Sequence, residues 1–100
     1  MKILAYDYKI KAIATPIEDM KNMGLHNSLD LTITICTGML RQHQESTMLH
    51  EIIESVNWQL GLELCEQNIL SLEIGMYNAL RNAGVNLGPL MVELEEGGGK

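Results

Sequence analysis

Within the segment Leu49-His50-Glu51-Ile52-Ile53-Glu54 are the residue types of a metal centre at helical spacing. His50 and Glu54 are four apart, so on a helix their side chains rise from one face and can meet at one ion. Glu51 is rotated by about 100° from His50, away from the ligand position but able to approach a water and take its proton. Two ligands and a general base from one turn of helix suit metal-assisted hydrolysis.

A catalytic tetrahedral site needs a third protein ligand and leaves the fourth position open. Glu73 shares a helical stripe with Ile69, Met76 and Leu80, and a carboxylate on an apolar stripe is costly unless it is paired or metal-bound. Glu66 lies seven residues earlier on nearly the same stripe and is the alternative. Between Gln42 and Leu80 stand six glutamates (45, 51, 54, 63, 66 and 73) and no lysine or arginine, so acids that turn inward there need a metal ion or a proton. The string is the His-Glu-x-x-His pattern of zinc peptidases with Glu54 in place of the second histidine. That harder donor set discriminates less for zinc against manganese or iron. Against all this, His-Glu-x-x-Glu arises often by chance, and Glu51 and Glu54 on a solvated face would carry no chemistry.

The remaining candidates are weaker. His43, seven residues before His50, either supports a ligand or contacts the substrate, or is an exposed histidine at a helix start. His26 falls near a turn and reads as a surface residue. Asn57 shares the His50 and Glu54 stripe and can orient a ligand. Trp58 packs in the core or over the site mouth, and Tyr77 is a core residue unless its hydroxyl points along the cleft. Cys36 and Cys65 have no metal-knuckle spacing and read as two buried, reduced thiols. Seven methionines fill gaps in a core without phenylalanine.

Two kinds of element must position these residues. From Ile3 to Ile13, Leu4, Tyr6, Tyr8 and Ile10 alternate with polar or small residues, which gives one strand or a hairpin turning near Ala5 to Asp7. Thr15-Pro16 ends that stretch, and residues 17 to 23 form a loop or one helical turn. Leu29 to Cys36 is the clearest half-buried strand, with Leu29, Leu31, Ile33 and Ile35 on one face; Leu25-His26 is a short partner across Asn27-Ser28. After Gly38 the period changes. Met48, Leu49, Ile52, Ile53, Val56 and Leu60 mark a helix over about 40–60 closed by Gly61, and Ile69, Leu72, Met76, Tyr77 and Leu80 a second over about 66–83 stopped by Gly84. Met91 to Leu94 is a short strand or docked segment. The expectation is an α+β fold, a small antiparallel sheet followed by two helices, in one domain over residues 1–94 with a flexible tail at 95–100.

Thirteen acids against seven bases give a formal charge of −6, which repels phosphate backbones and argues against nucleic acid as partner. Apolar runs all fall well short of the roughly 20 residues of a membrane span. An acid at Asp7 and a lysine at Lys2 argue against a signal peptide, so the expected location is cytoplasmic.

Residues 44 to 82 resemble small zincin-like metallopeptidase proteins common in bacteriophages and prophages. Thr47-Met48-Leu49-His50-Glu51-Ile52-Ile53 and Met76-Tyr77-Asn78-Ala79-Leu80 carry the match to a Thr-Leu-Leu-His-Glu-Ile-Ile-His helix and a Leu-Tyr-x-x-Leu helix end. Gly24 and Leu31-Thr32-Ile33-Thr34-Ile35 sit where such proteins place an edge hairpin, and the similarity covers most of residues 2 to 83. The resemblance implies a zincin-like minimal core in which His50 and residue 54 bind zinc, Glu51 is the base, and an acid on the next helix completes the site. Glu54 departs from the family's histidine. Two functions follow: a peptidase-like protein whose peptide lies along the strand at Leu29 to Cys36, or a catalytically inactive binding or regulatory module in which the site holds zinc, another divalent metal or none.

Overall fold

The computed structural model describes residues 1–14 and 23–93. The strand end expected at Thr15-Pro16, the turn over residues 17 to 22, and the stretch from Leu94 through the tail lie outside the described residues. The N-terminal alternation resolves into two pieces. β1 (Lys2–Ile3) and β2 (Tyr6–Asp7) pair antiparallel, with Leu4 turning the chain at φ 54°. β3 (Lys9–Ile13) then joins a different sheet.

That second sheet has the order β3-β5-β4, with β4 at Gly24–Asn27 and β5 at Thr32–Cys36. β4 runs antiparallel to β5, as the Leu25-His26 reading expects, whereas β3 runs parallel to it, so the sheet is mixed. The chain reverses into β4 and again into β5, and β5 inserts between the two earlier strands; two reversals leave β3 and β5 pointing the same way. β5 begins three residues later than the alternation suggests. Asn27 Oδ1 accepts hydrogen bonds from the backbone of Leu29 and Asp30 at 2.9 and 3.4 Å, which holds the turn open, and Leu31 sits at φ 54°. Leu29 is consequently 95% exposed, while Ile33 and Ile35 are fully buried.

α1 (Arg41–Leu60) packs on the sheet and α2 (Glu66–Asn82) packs on α1. Ile3, Tyr8, Ile33, Ile35, Met48 and Met91 form the core between sheet and α1; Leu49, Ile53 and Ile69 form a smaller one between the helices. Gly61 ends α1 at φ 61°, a left-handed conformation that side chains with a Cβ resist. On α2 the inward stripe is buried Ile69 with half-buried Glu73, Tyr77 and Leu80, while Leu72 and Met76 are left exposed. Met91 closes the core from a 3-10 turn over Gly88–Met91, where a strand was the alternative. Together these elements make an α+β fold. Among the described residues no helix is long and apolar enough to cross a membrane.

Candidate metal centre

The site lies where α1, α2 and β4 meet. His50 rises from the middle of α1 toward α2, and each ring nitrogen faces a glutamate of that helix. Nδ1 is 2.7 Å from Glu73 Oε1 and Nε2 is 3.0 Å from Glu66 Oε1. Glu54, one turn along α1, brings Oε2 to 3.6 Å from Nε2. The Nε2 side is therefore the point of convergence: His50, Glu54 and Glu66 each offer one ligand atom, and these lie within 4.8 Å of one another. The structure thus groups Glu66, the alternative acid, with His50 and Glu54, and seats Glu73 on the opposite side of the ring.

Glu73 has its own support. Its Oε2 accepts a hydrogen bond from the Ser46 hydroxyl on α1, so both carboxylate oxygens are engaged. A carboxylate only accepts, hence Nδ1 carries a proton toward Glu73 and Nε2 is the nitrogen left to ligate. Burial pulls the His50 pKa down, but the hydrogen bond to Glu73 and the charges of Glu51, Glu73 and Glu66 outweigh it and raise it above the ordinary value. The neighbouring carboxylates thus favour the charged ring, and a cation at the Nε2 side would compete with its protonation. Burial also raises the Glu54 pKa, reinforced by the charge of Glu66 and a hydrogen bond shared with it. Two carboxylates facing each other beside an imidazole nitrogen fit a divalent cation in charge and donor chemistry.

Glu51 lies against β4 on the wall of the same cleft as His50 and Glu66. It is 5% exposed, and burial pushes its carboxyl up to about 7. Gly24 allows this approach: a Cβ there would sit 2.8 Å from Glu51 Oε2 and 2.6 Å from Thr47 Cγ2. Open space connects the groups, in a cleft of about 350 Å³ whose walls include His26, His50, Glu51, Glu54 and Glu66.

Several side chains serve elsewhere. Asn57 does not orient a ligand; its Oδ1 accepts the Leu64 amide at 2.9 Å and ties down the link between the helices. The Tyr77 hydroxyl donates to Glu45 at 3.1 Å and accepts from Arg81 at 2.9 Å, away from the cleft. Glu45 is buried yet paired, with Arg41 at 3.5 Å and Arg81 at 3.6 Å, cations from just outside the basic-free window. Among the described residues no lysine or arginine pairs with Glu51, Glu54, Glu66 or Glu73. His43 is exposed but borders a second cavity with Ser46 and Glu73, behind the ring. His26 is drawn inward: its Nε2 is 2.8 Å from the Tyr8 hydroxyl, and burial lowers its pKa. Cys36 is buried and Cys65 exposed, both free thiols. Sequence reasoning passed over Ser46 entirely; its spacing of four before His50 was the available signal.

No protein-family model matches the chain, and no curated protein or solved structure matches it either. The zincin-like resemblance therefore rests on the residues quoted for it above.

Proposed function

We propose that this is a metal-dependent, peptidase-like protein in which His50, Glu54 and Glu66 hold a divalent cation and Glu51 is the general base. The observation that carries the reading is the convergence of those three donors beside a buried acid whose pKa of about 7 suits proton transfer at neutral pH. A cation held there would supply Lewis-acid polarisation of a carbonyl and a water of lowered pKa. Glu51 would take a proton from the attacking water and return it to the leaving amine. Glu73, braced by Ser46, fixes the ring so that Nε2 faces the cation. With one histidine and two carboxylates, manganese or iron competes with zinc.

The peptide partner needs a different strand from the one expected. β5 is paired on both sides and has no free edge, whereas among the described strands β4 is at the edge, lying against Glu51. A peptide added antiparallel to β4 brings its carbonyls alongside the cleft. Two free thiols fit a reducing compartment, consistent with a cytoplasmic location.

A second reading, a non-catalytic binding or regulatory module, draws support from the Glu66 side chain, which is 72% exposed and little preorganised. Metal analysis of protein purified without chelator, combined with Glu51→Gln, separates the two. The peptidase reading requires about one equivalent of bound metal in both forms and hydrolysis of a labelled casein only in wild type. Metal bound without wild-type hydrolysis selects the module, and failure to bind zinc, manganese or iron at saturating concentration removes the metal centre.

A further inference from the structure

The cleft at the donor group continues past it. A middle cavity of about 280 Å³ shares Gly24, His50 and Glu51 with the cleft, and shares Met23, Thr47 and Glu73 with the cavity behind the His50 ring. The three openings follow α1 in order, at Glu54, then His50 and Glu51, then His43 and Thr47, each about one helical turn from the last. On the opposite wall they pass from His26 through Gly24 to Met23. The groove they make therefore runs along β4, the direction given above to the peptide.

Its spacing suits an extended chain. Successive turns of α1 rise about 5.4 Å, close to the roughly 6.7 Å between alternate side chains of a strand. A peptide that sets one residue at the donor group thus brings the side chain two residues away to the cavity behind the ring.

That cavity, of about 240 Å³, differs from the cleft in chemistry. Its one carboxylate, Glu73, already has an oxygen on His50 and the other on the Ser46 hydroxyl. Met23 and Met39 line it, and the Thr47 methyl faces β4 at Gly24. Methionine walls adapt to apolar guests, whereas a charged guest there would lose water and find its counter-charge engaged.

We propose that the cavity bounded by Met23, Met39 and Thr47 is a side-chain subsite for leucine or methionine in an extended peptide, two residues from the residue at the donor group. The proposal rests on the peptide reading above and deepens it by naming the class of segment bound, one carrying an apolar residue at that spacing.

The test uses zinc-loaded, full-length protein and fluorescein-labelled, capped heptapeptides of serine with one central residue X, as leucine, methionine, serine or arginine. Binding is read by fluorescence anisotropy. The leucine and methionine peptides bind on the order of tenfold tighter than the serine peptide, and Met23→Ser shrinks that gap to less than about threefold. Circular dichroism checks that the variant is folded. Should it not be, His43→Glu takes its place with the same expected loss, because it sets a carboxylate beside the cavity from an exposed position in the first turn of α1. Serine or arginine binding as tightly as leucine overturns the subsite, as does a gap that the folded variants leave unchanged. Four peptides that bind alike sink the subsite and leave the peptide reading standing. No binding by any of them at millimolar concentration sinks the peptide reading and the subsite with it. Zinc content of the same samples reads the metal centre separately.

Discussion

Glu51 and His50 are adjacent in sequence, and the fold gives them opposite demands. Burial raises the Glu51 pKa from 4.5 to about 7, so the folded state holds this proton more tightly than the unfolded chain does. The contribution of Glu51 to stability is whole below pH 4.5 and is lost as pH rises through about 7. In metal-free protein, Glu51→Gln should accordingly be more stable than wild type at pH 8, on the order of 2 kcal/mol by urea denaturation, with the difference vanishing near pH 4.5. His50 has a raised pKa, so its stabilising ion pairing is full below the ordinary histidine value of 6.5 and fades at higher pH. A cation at Nε2 competes with protonation of the ring. Zinc affinity measured by competition with a chromophoric chelator should therefore fall as pH is lowered toward 6, and calorimetry in buffers of different ionisation enthalpy should show proton release on binding. Ser46→Ala, which frees one oxygen of Glu73, should weaken zinc binding about tenfold while leaving the fold intact.

The elements explain why the donors meet where they do. The motif was legible because α1 is a regular helix, and its observed span of Arg41–Leu60 agrees with the apolar period and the closing Gly61. The choice between Glu66 and Glu73 was not. Both sit on the face of α2 that looks at α1, seven residues apart, and periodicity assigns a face without saying which nitrogen of an opposing ring each acid meets. Strand order was hidden in the same way. Ile33 and Ile35 mark β5 as a core strand, but nothing local says that it pairs on both sides and puts β4 at the edge of the described strands. The contact between β4 and α1 is tight at one place, which gives a direct check. Gly24→Ala drives a methyl against Glu51 Oε2 and Thr47 Cγ2, so its cost should be about 1–3 kcal/mol by thermal or urea denaturation, with metal-dependent activity lost even where the variant still folds.

At the scale of the whole molecule, the second helix and the sheet are held to α1 by different kinds of contact. α2 buries only Ile69 completely and otherwise holds to α1 through partly buried Tyr77, the Arg81–Glu45 bridge, and the contacts of Glu66 and Glu73 with His50 and Ser46. The sheet side relies on residues far apart in sequence: Gln59 near the end of α1 bonds the Ile3 carbonyl at 2.7 Å and the Ala5 amide at 3.0 Å, and Met91 plugs the core from the far end of the described chain. Met91→Ala should cost about 2–5 kcal/mol by denaturant titration, more than a strand-end residue at the periphery would.

The sequence by itself determined the α+β class, both helices, the hairpin of Leu25-His26 with the strand after it, and the presence of His50, Glu51 and Glu54 on one helical turn, because period and turn chemistry act over a few residues. Only the tertiary structure decided that Glu66 joins the donors while Glu73 and Ser46 brace the ring. It alone decided also that β3 lies parallel to β5, and that Glu45, one of six glutamates alike on paper, finds its cations at Arg41 and Arg81. Those outcomes depend on how whole elements are placed against one another, a choice made by burial summed over many residues and invisible in any short stretch of chain.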